Sequence, residues 1–162
     1  MSRLARPAVR RVIDVLAAHD LEDRVVELAD TARTARDAAN ALGVEVGAIV
    51  KSLVFTIDGR PVVALVAGDR RCHTEALAAA TGLAGAVARA EPALVKAATG
   101  FTIGGVAPLG FPASLPVAVD ASLERFANLY AAAGHPHCVF RTTYPELLTL
   151  SGGRPSAALG AD

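Results

Sequence analysis

A chain of 162 residues with 52% hydrophobic content can bury the core of one domain without disulfides or metals. Sixteen basic residues balance sixteen acidic ones, which excludes the strongly basic surface of a dedicated nucleic-acid coat and leaves only local contacts with a polyanion. The two cysteines, Cys72 and Cys138, stand in no metal-ligand or C-x-x-C spacing, so no disulfide framework is expected and the reducing cytoplasm is the simplest home. The amino terminus lacks the apolar core of a signal peptide, and charge or glycine interrupts every apolar run before membrane-spanning length.

In chain order, the first element is an amphipathic helix: Pro7 suits a first turn, and Val9, Val12, Ile13 and Leu16 recur at helical spacing towards His19 and Asp20. Arg3, Arg6, Arg10 and Arg11 fall on its other face, as solvated charge or as a cluster for a polyanion. A short strand is expected from Val25 to Leu28. Thr34 with Asp37 three residues on marks a helix N-cap, and Gly43 supplies the stop. From Ile49 to Ile57 the residues are β-branched or aromatic enough for a strand, Asp58-Gly59 is a favoured hairpin turn, and Val62 to Ala67 returns as its partner.

After a break at Gly68-Asp69-Arg70-Arg71, an alanine-rich helix is expected from about Cys72 to Thr81, ending at Gly82. A short strand follows at Val87 to Arg89, and Pro92 opens a helix running to Gly100. A glycine-punctuated loop then extends to Gly110. Pro116 leads into a strand from Val117 to Asp120, and two more are expected at Leu129 to Ala132 and Cys138 to Arg141, separated by Gly134-His135-Pro136-His137. Thr143-x-x-Glu146 matches a capping box ahead of Leu147, Leu148 and Leu150, with Gly152-Gly153 as the stop and a loose tail beyond. This order predicts a single α+β domain over residues 1–162, with a mixed, mostly antiparallel curved sheet or barrel and surrounding helices.

Two features carry chemistry. Lys51 shares a strand face with Ile49, Leu53, Phe55 and Ile57, so it either snorkels to water from the strand's start or places its ammonium in a pocket. The loop around Gly104 and Gly105 is either an ordinary connection or a place where bare N–H groups meet an oxyanion. Ser52, Ser114 and Ser122 lie in no G-x-S-x-G elbow, and no H-E-x-x-H metal spacing occurs. His135 and His137 read as turn residues with a third metal ligand lacking, His73 as solvated, and both cysteines as small buried apolar residues.

Val50-Lys51-Ser52-Leu53-Val54-Phe55, then Thr99-Gly100-Phe101, then Gly104-Gly105-Val106-Ala107-Pro108-Leu109-Gly110 and Val119-Asp120 together resemble the YbaK/ProX aminoacyl-tRNA editing domains. The resemblance runs from about Thr34 to Leu150 and includes free-standing relatives of the editing insertion of prolyl-tRNA synthetase. It implies a mixed sheet curled around a pocket and the hydrolysis of mischarged aminoacyl-tRNA in the cytoplasm, of Cys-tRNA or Ala-tRNA type on proline tRNA. It implies Lys51, Gly104 and Gly105 as catalytic residues, and Ser52, Phe101, Val106, Ala107, Pro108, Gly134 and His135 as substrate-binding residues. No metal, cofactor or membrane enters, and an aminoacyl-tRNA synthetase is a candidate partner. The segment Ala133-Gly134-His135-Pro136-His137 departs from the cysteine-removing branch, where a Ser-Gly pair followed by basic residues would stand.

An aminoacyl ester is already reactive, so orientation and oxyanion stabilisation count for more than a strong nucleophile. Backbone N–H groups near Gly104 and Gly105 would hold the ester carbonyl, water or a hydroxyl or thiol of the substrate would attack it, and Lys51 would meet the terminal nucleotide's phosphate or another electron-rich group. The other function class open to this chain is a non-catalytic module that grips an aminoacyl end or a nucleotide on the same fold.

Overall fold

The computed structural model describes residues 2–29 and 34–162. Among the described residues five α-helices, α1 (Pro7–Ala17), α2 (Ala35–Leu42), α3 (Thr74–Thr81), α4 (Pro92–Thr99) and α5 (Tyr144–Ser151), surround one main sheet. The strands are β1 (Val25–Glu27), β2 (Ile49–Ile57), β3 (Arg60–Ala67), β4 (Arg71–Cys72), β5 (Val87–Arg89), β6 (Val117–Asp120), β7 (Leu129–His135), β8 (Cys138–Thr142), β9 (Arg154–Ser156) and β10 (Gly160–Ala161). The sheet runs β1-β8-β7-β2-β3-β6-β9, with β5 paired to β2 off this path and β4 paired to β10 in a separate ribbon. The pairings β2·β7, β3·β6 and β6·β9 are parallel, and the other pairings among the described residues are antiparallel. The α+β class and the mixed curved sheet are as the element order predicts.

The β2–β3 hairpin organises the core. Its turn places Asp58 at φ +49° and Gly59 at φ +80°, the left-handed pair whose twist matches that of the flanking strands. Val62 to Ala67 are all fully buried, because β3 is central and covered on both faces, which is why its sequence is a continuous apolar run. Val63, Leu65 and Ala67 join α1, α4 and the glycine loop in the larger core. Val62, Ala64 and Val66 join Phe55, Ile57 and Leu77 of α3 in the smaller one. Lys51 pairs with Val66 and Ser52 with Leu65, so these neighbours face opposite cores. Both faces of β2 are apolar, not only the face that carries Lys51.

Three local expectations change. The helix placed from Cys72 begins at Thr74, because Arg71 and Cys72 pair with Ala161 and Gly160 and the His73 N–H goes to the Leu159 carbonyl at 2.7 Å. The tail is not loose: Leu159 is fully buried, and β9 extends the main sheet beside β6. β7 runs to His135 instead of stopping at Ala132, with an irregularity between those two residues. There Gly134 has φ +94°, and a Cβ on it would stand 2.7 Å from the Ala8 carbonyl oxygen, so only glycine admits the amino end of α1 this close.

Arg11 leaves the solvated face assigned to it. Its Nη2 donates to the Gly100 carbonyl at 2.8 Å and its guanidinium stands 4.7 Å from the centre of the Phe101 ring. Arg3 pairs with Glu27 at 3.0 Å, and Arg6 and Arg10 stay exposed.

Asp120 ends β6 almost completely buried, accepting the Ala67 N–H at 3.1 Å through Oδ2 and the Ser122 N–H at 2.9 Å through Oδ1. Losing that carboxylate strands a buried donor at the end of β3, at a cost of about 1–3 kcal/mol. Asp120→Ala should therefore lower the unfolding free energy by that amount, read as a lower urea midpoint with an unchanged m-value. A midpoint equal to wild type would mean that water or a shifted side chain satisfies Ala67.

Candidate active site at the β2–β7 split

β2 and β7 pair only at Ile49↔Tyr130 and Val50↔Ala131, and pairing of β2 with β5 starts at Phe55↔Arg89. The Gly68 N–H donates to the Ile49 carbonyl at 2.8 Å, so odd positions of β2 turn their backbone groups towards β3. Ser52, an even position, turns its N–H and C=O into the opening between the two pairings. A cavity of about 390 Å³ fills this opening, lined by Ile49 to Leu53, Ile103, Gly104, Val106, Tyr130, His135, Pro136 and neighbouring residues of β7, β8 and α2. Ser52 Oγ is buried there without a hydrogen-bond partner among the described residues.

Lys51 is half-buried at the rim. Its Nζ donates to the Arg70 carbonyl, and its side chain borders two further cavities besides the first. Burial lowers the pKa of its ammonium, while Cys72, Asp69 and Asp120 act the other way. The lysine thus neither sinks into the apolar core nor escapes fully to water, but stands where the grooves meet. Cys72, expected to be buried, is half-exposed beside it, and burial raises its thiol pKa; Cys138 is buried.

The glycine loop reaches the cavity from α4. Thr99 Oγ1 donates to the Val95 carbonyl at 2.7 Å and accepts the Phe101 N–H at 3.0 Å, locking the helix end to the loop. Phe101, Ala107 and Pro108 are buried and hold the loop down, and the structure does not bring them to the cavity wall. Ile103 is the exposed apolar residue at the mouth, 62% accessible. Gly105 donates its N–H to the Thr102 carbonyl at 3.0 Å, so that donor is taken. A Cβ on Gly105 would stand 3.0 Å from the His135 nitrogen, which explains the glycine by close approach to β7. Gly104 and Val106 both line the cavity, and their N–H groups have no acceptor among the described residues.

His135 reaches the wall, whereas Gly134 lies behind it against α1. The His135 Nδ1 accepts the His137 N–H at 3.0 Å, which leaves the proton of the neutral ring on Nε2. Burial first, then Arg6, His137 and Arg3, lower its pKa and favour that neutral ring. Among the described residues no three His, Cys, Asp or Glu side chains converge as a metal site.

Sequence reasoning missed Ile103 and Tyr130 at this cavity, and Arg71 and Arg89 around the neighbouring one that Lys51 also borders. Their shared signal is proximity across strands, which no local spacing encodes.

Residues 29–150 match the aminoacyl-tRNA editing domain. The chain is 37% identical over 101 residues to the proline–tRNA ligase of Citrifermentans bemidjiense, a stretch that is 62% of this chain and 18% of that enzyme. It is 28% identical over 123 residues to EbsC of Enterococcus faecalis, a proposed Cys-tRNA(Pro)/Cys-tRNA(Cys) deacylase, covering 75% of this chain and 74% of that protein. A solved structure of a proposed trans-editing enzyme for prolyl-tRNA synthetase superposes with a TM-score of 0.87 at 38% identity, covering 97% of this chain and 98% of the other. With most of its length matched, and with the lysine strand and glycine loop meeting at one cavity, the chain belongs to the aminoacyl-tRNA editing domain family, whose chemistry is aminoacyl-tRNA deacylation.

Proposed function

We propose that this chain hydrolyses mischarged aminoacyl-tRNA in trans, with proline tRNA as carrier and a small uncharged acyl group, alanyl or cysteinyl, as the part removed. The observation that carries the reading is the cavity in the β2–β7 split, where unpaired backbone donors, a half-buried ammonium and an apolar wall converge. At about 390 Å³ it lies within the range of small-ligand sites. Ile49, Val50, Val106, Ala131 and Val139 would meet the acyl side chain, and the buried Ser52 Oγ and the His135 Nε2–H would orient its polar atoms.

The Gly104 and Val106 N–H groups, with Lys51 at the rim, would receive the negative charge that develops on the ester carbonyl oxygen. Water adds to the carbonyl carbon, the bond to the ribose oxygen breaks, and that oxygen takes up a proton as the free amino acid leaves. No side-chain nucleophile is needed for an ester this reactive. A synthetase partner would supply the tRNA grip that a formally neutral chain lacks.

Lys51→Ala should slow single-turnover hydrolysis by about 10²–10³, the usual loss on removing one charge-stabilising donor, with unchanged circular dichroism. Wild-type turnover by the folded variant would remove Lys51 from the mechanism, and a wild type that binds mischarged tRNA without hydrolysing it would establish the binding-module reading.

Unaided tRNA binding should be weak and should weaken further between about 50 and 200 mM salt, since phosphate contacts hold it. A filter-binding affinity flat across that range would contradict a contact made through Arg6, Arg10 and the arginines around Lys51.

A further inference from the structure

On the α1 side of the glycine loop stands a cation that the steps above do not use. Arg11 is partly buried and forms no ion pair with a carboxylate among the described residues. Its side chain sits at the neck of the loop, between Gly100 and Gly110. Nη2 donates to the Gly100 carbonyl at 2.8 Å, and the guanidinium carbon lies 4.7 Å from the centre of the Phe101 ring. A Cβ on Gly100, at φ +81°, would stand 2.5 Å from Nη2. One on Gly110, at φ +78°, would stand 3.7 Å from the Arg11 Cγ and equally far from the Phe101 ring. Both ends of the loop thus meet one side chain, with a glycine where the cation comes closest.

Little else aims the loop between those ends. Among the described residues its limb from Val106 to Leu115 makes no backbone–backbone hydrogen bond, while Val106, Ala107 and Leu109 are buried in the larger core. Burial is non-directional, so it sets the depth of the loop and not the aim of its N–H groups. Lys96 also donates to the Gly100 carbonyl, but at 3.3 Å and exposed to solvent. Arg11 carries a cost, since its Nε is buried without a hydrogen-bond partner among the described residues. A methionine would fill the same neck with no stranded donor, so filling space does not call for an arginine. What the guanidinium adds is direction: a charge-assisted hydrogen bond to the carbonyl that ends α4, and a planar cation against the ring that starts the loop.

We propose that Arg11 is a positioning residue for the ester hydrolysis. By clasping the loop at Gly100 and Gly110 it sets where the turn from Thr102 to Gly105 stands, and with it the aim of the Gly104 and Val106 N–H groups at the ester oxygen. It does not touch substrate: it stands behind the fully buried Phe101 and lines no part of the cavity wall. Resting on the deacylase reading above, this role adds the group that preorganises the donors. A misplacement of about 1 Å in such groups costs on the order of 10²-fold in rate, so the clasp acts on the chemical step and not on the grip on tRNA.

The test is single-turnover deacylation by Arg11→Met and Arg11→Lys, with melting curves and guanidinium rescue on the same samples. Arg11→Met should lower the saturating rate by about tenfold or more and leave the half-saturating substrate concentration within about twofold of wild type. Guanidinium ion, far below denaturing concentration, should restore part of that rate, and potassium chloride at equal ionic strength should not. Arg11→Lys, which keeps a donor for Gly100 without the planar cation, should fall between the two. An unchanged saturating rate, a loss confined to half-saturation, or a loss that guanidinium does not relieve overturns the assignment. Should Arg11→Met fail to fold, or should the wild type hydrolyse no mischarged tRNA, NMR order parameters of the Gly104 and Val106 amides decide the matter. The second event sinks the deacylase reading by itself. Values lower in Arg11→Lys than in wild type would uphold the clasp in either event, and equal values would sink it.

Discussion

Parallel pairing between β2 and β7 covers two residue pairs and then stops, and the chemistry of the molecule depends on that early stop. A strand edge left unpaired inside a protein exposes N–H and C=O groups that must find partners or remain open to a ligand. Here Ser52 supplies them to a cavity instead of a neighbouring strand. The divergence goes with the irregularity in β7, where Gly134 backs onto Ala8 and the strand turns along α1. Bulges of this kind re-aim strands beside functional sites.

The remaining parts hold the rim of this opening. Arg11 clamps the Gly100 carbonyl and covers Phe101, so the glycine loop is tied to α1 by a cation and a ring. Gly105 then packs on the β7 backbone, which brings Gly104 and Val106 to the cavity. On the opposite face, Asp120 ties the ends of β6 and β3 together close to Lys51. Lys51 accepts some loss of hydration there, partly offset by the Arg70 carbonyl and by the carboxylates of Asp69 and Asp120. A half-buried cation that costs stability is the kind of group found where charge must be met in a reaction.

The two faces of β2 divide the labour. Ser52 serves the face shared with α1 and the glycine loop, and Lys51 serves the face shared with α3. A substrate that touches both residues must pass around the open edge of the strand. That geometry suits an aminoacyl ester, whose acyl and nucleotide halves differ in polarity and lie on either side of one bond.

Local chemistry made the hairpin, the caps and most helices legible in the sequence. Asp58-Gly59 requires left-handed backbone, and Thr34 and Thr143 cap their helices as their spacing predicts, the latter with the full Glu146 box. Lys51 and the Gly104 loop were legible as motifs, because an inward lysine and clustered glycines are anomalies visible along the chain. The tertiary structure alone decided that Phe101, Ala107 and Pro108 are supports, that the Gly105 N–H is already spent on Thr102, and that Arg71 and Arg89 share a cavity. It also pinned the tail through β9, β10 and the buried Leu159. The reason is common to all of these: short edge strands and loop donors take their partners from residues far away in the chain, and no residue spacing specifies which distant backbone will arrive.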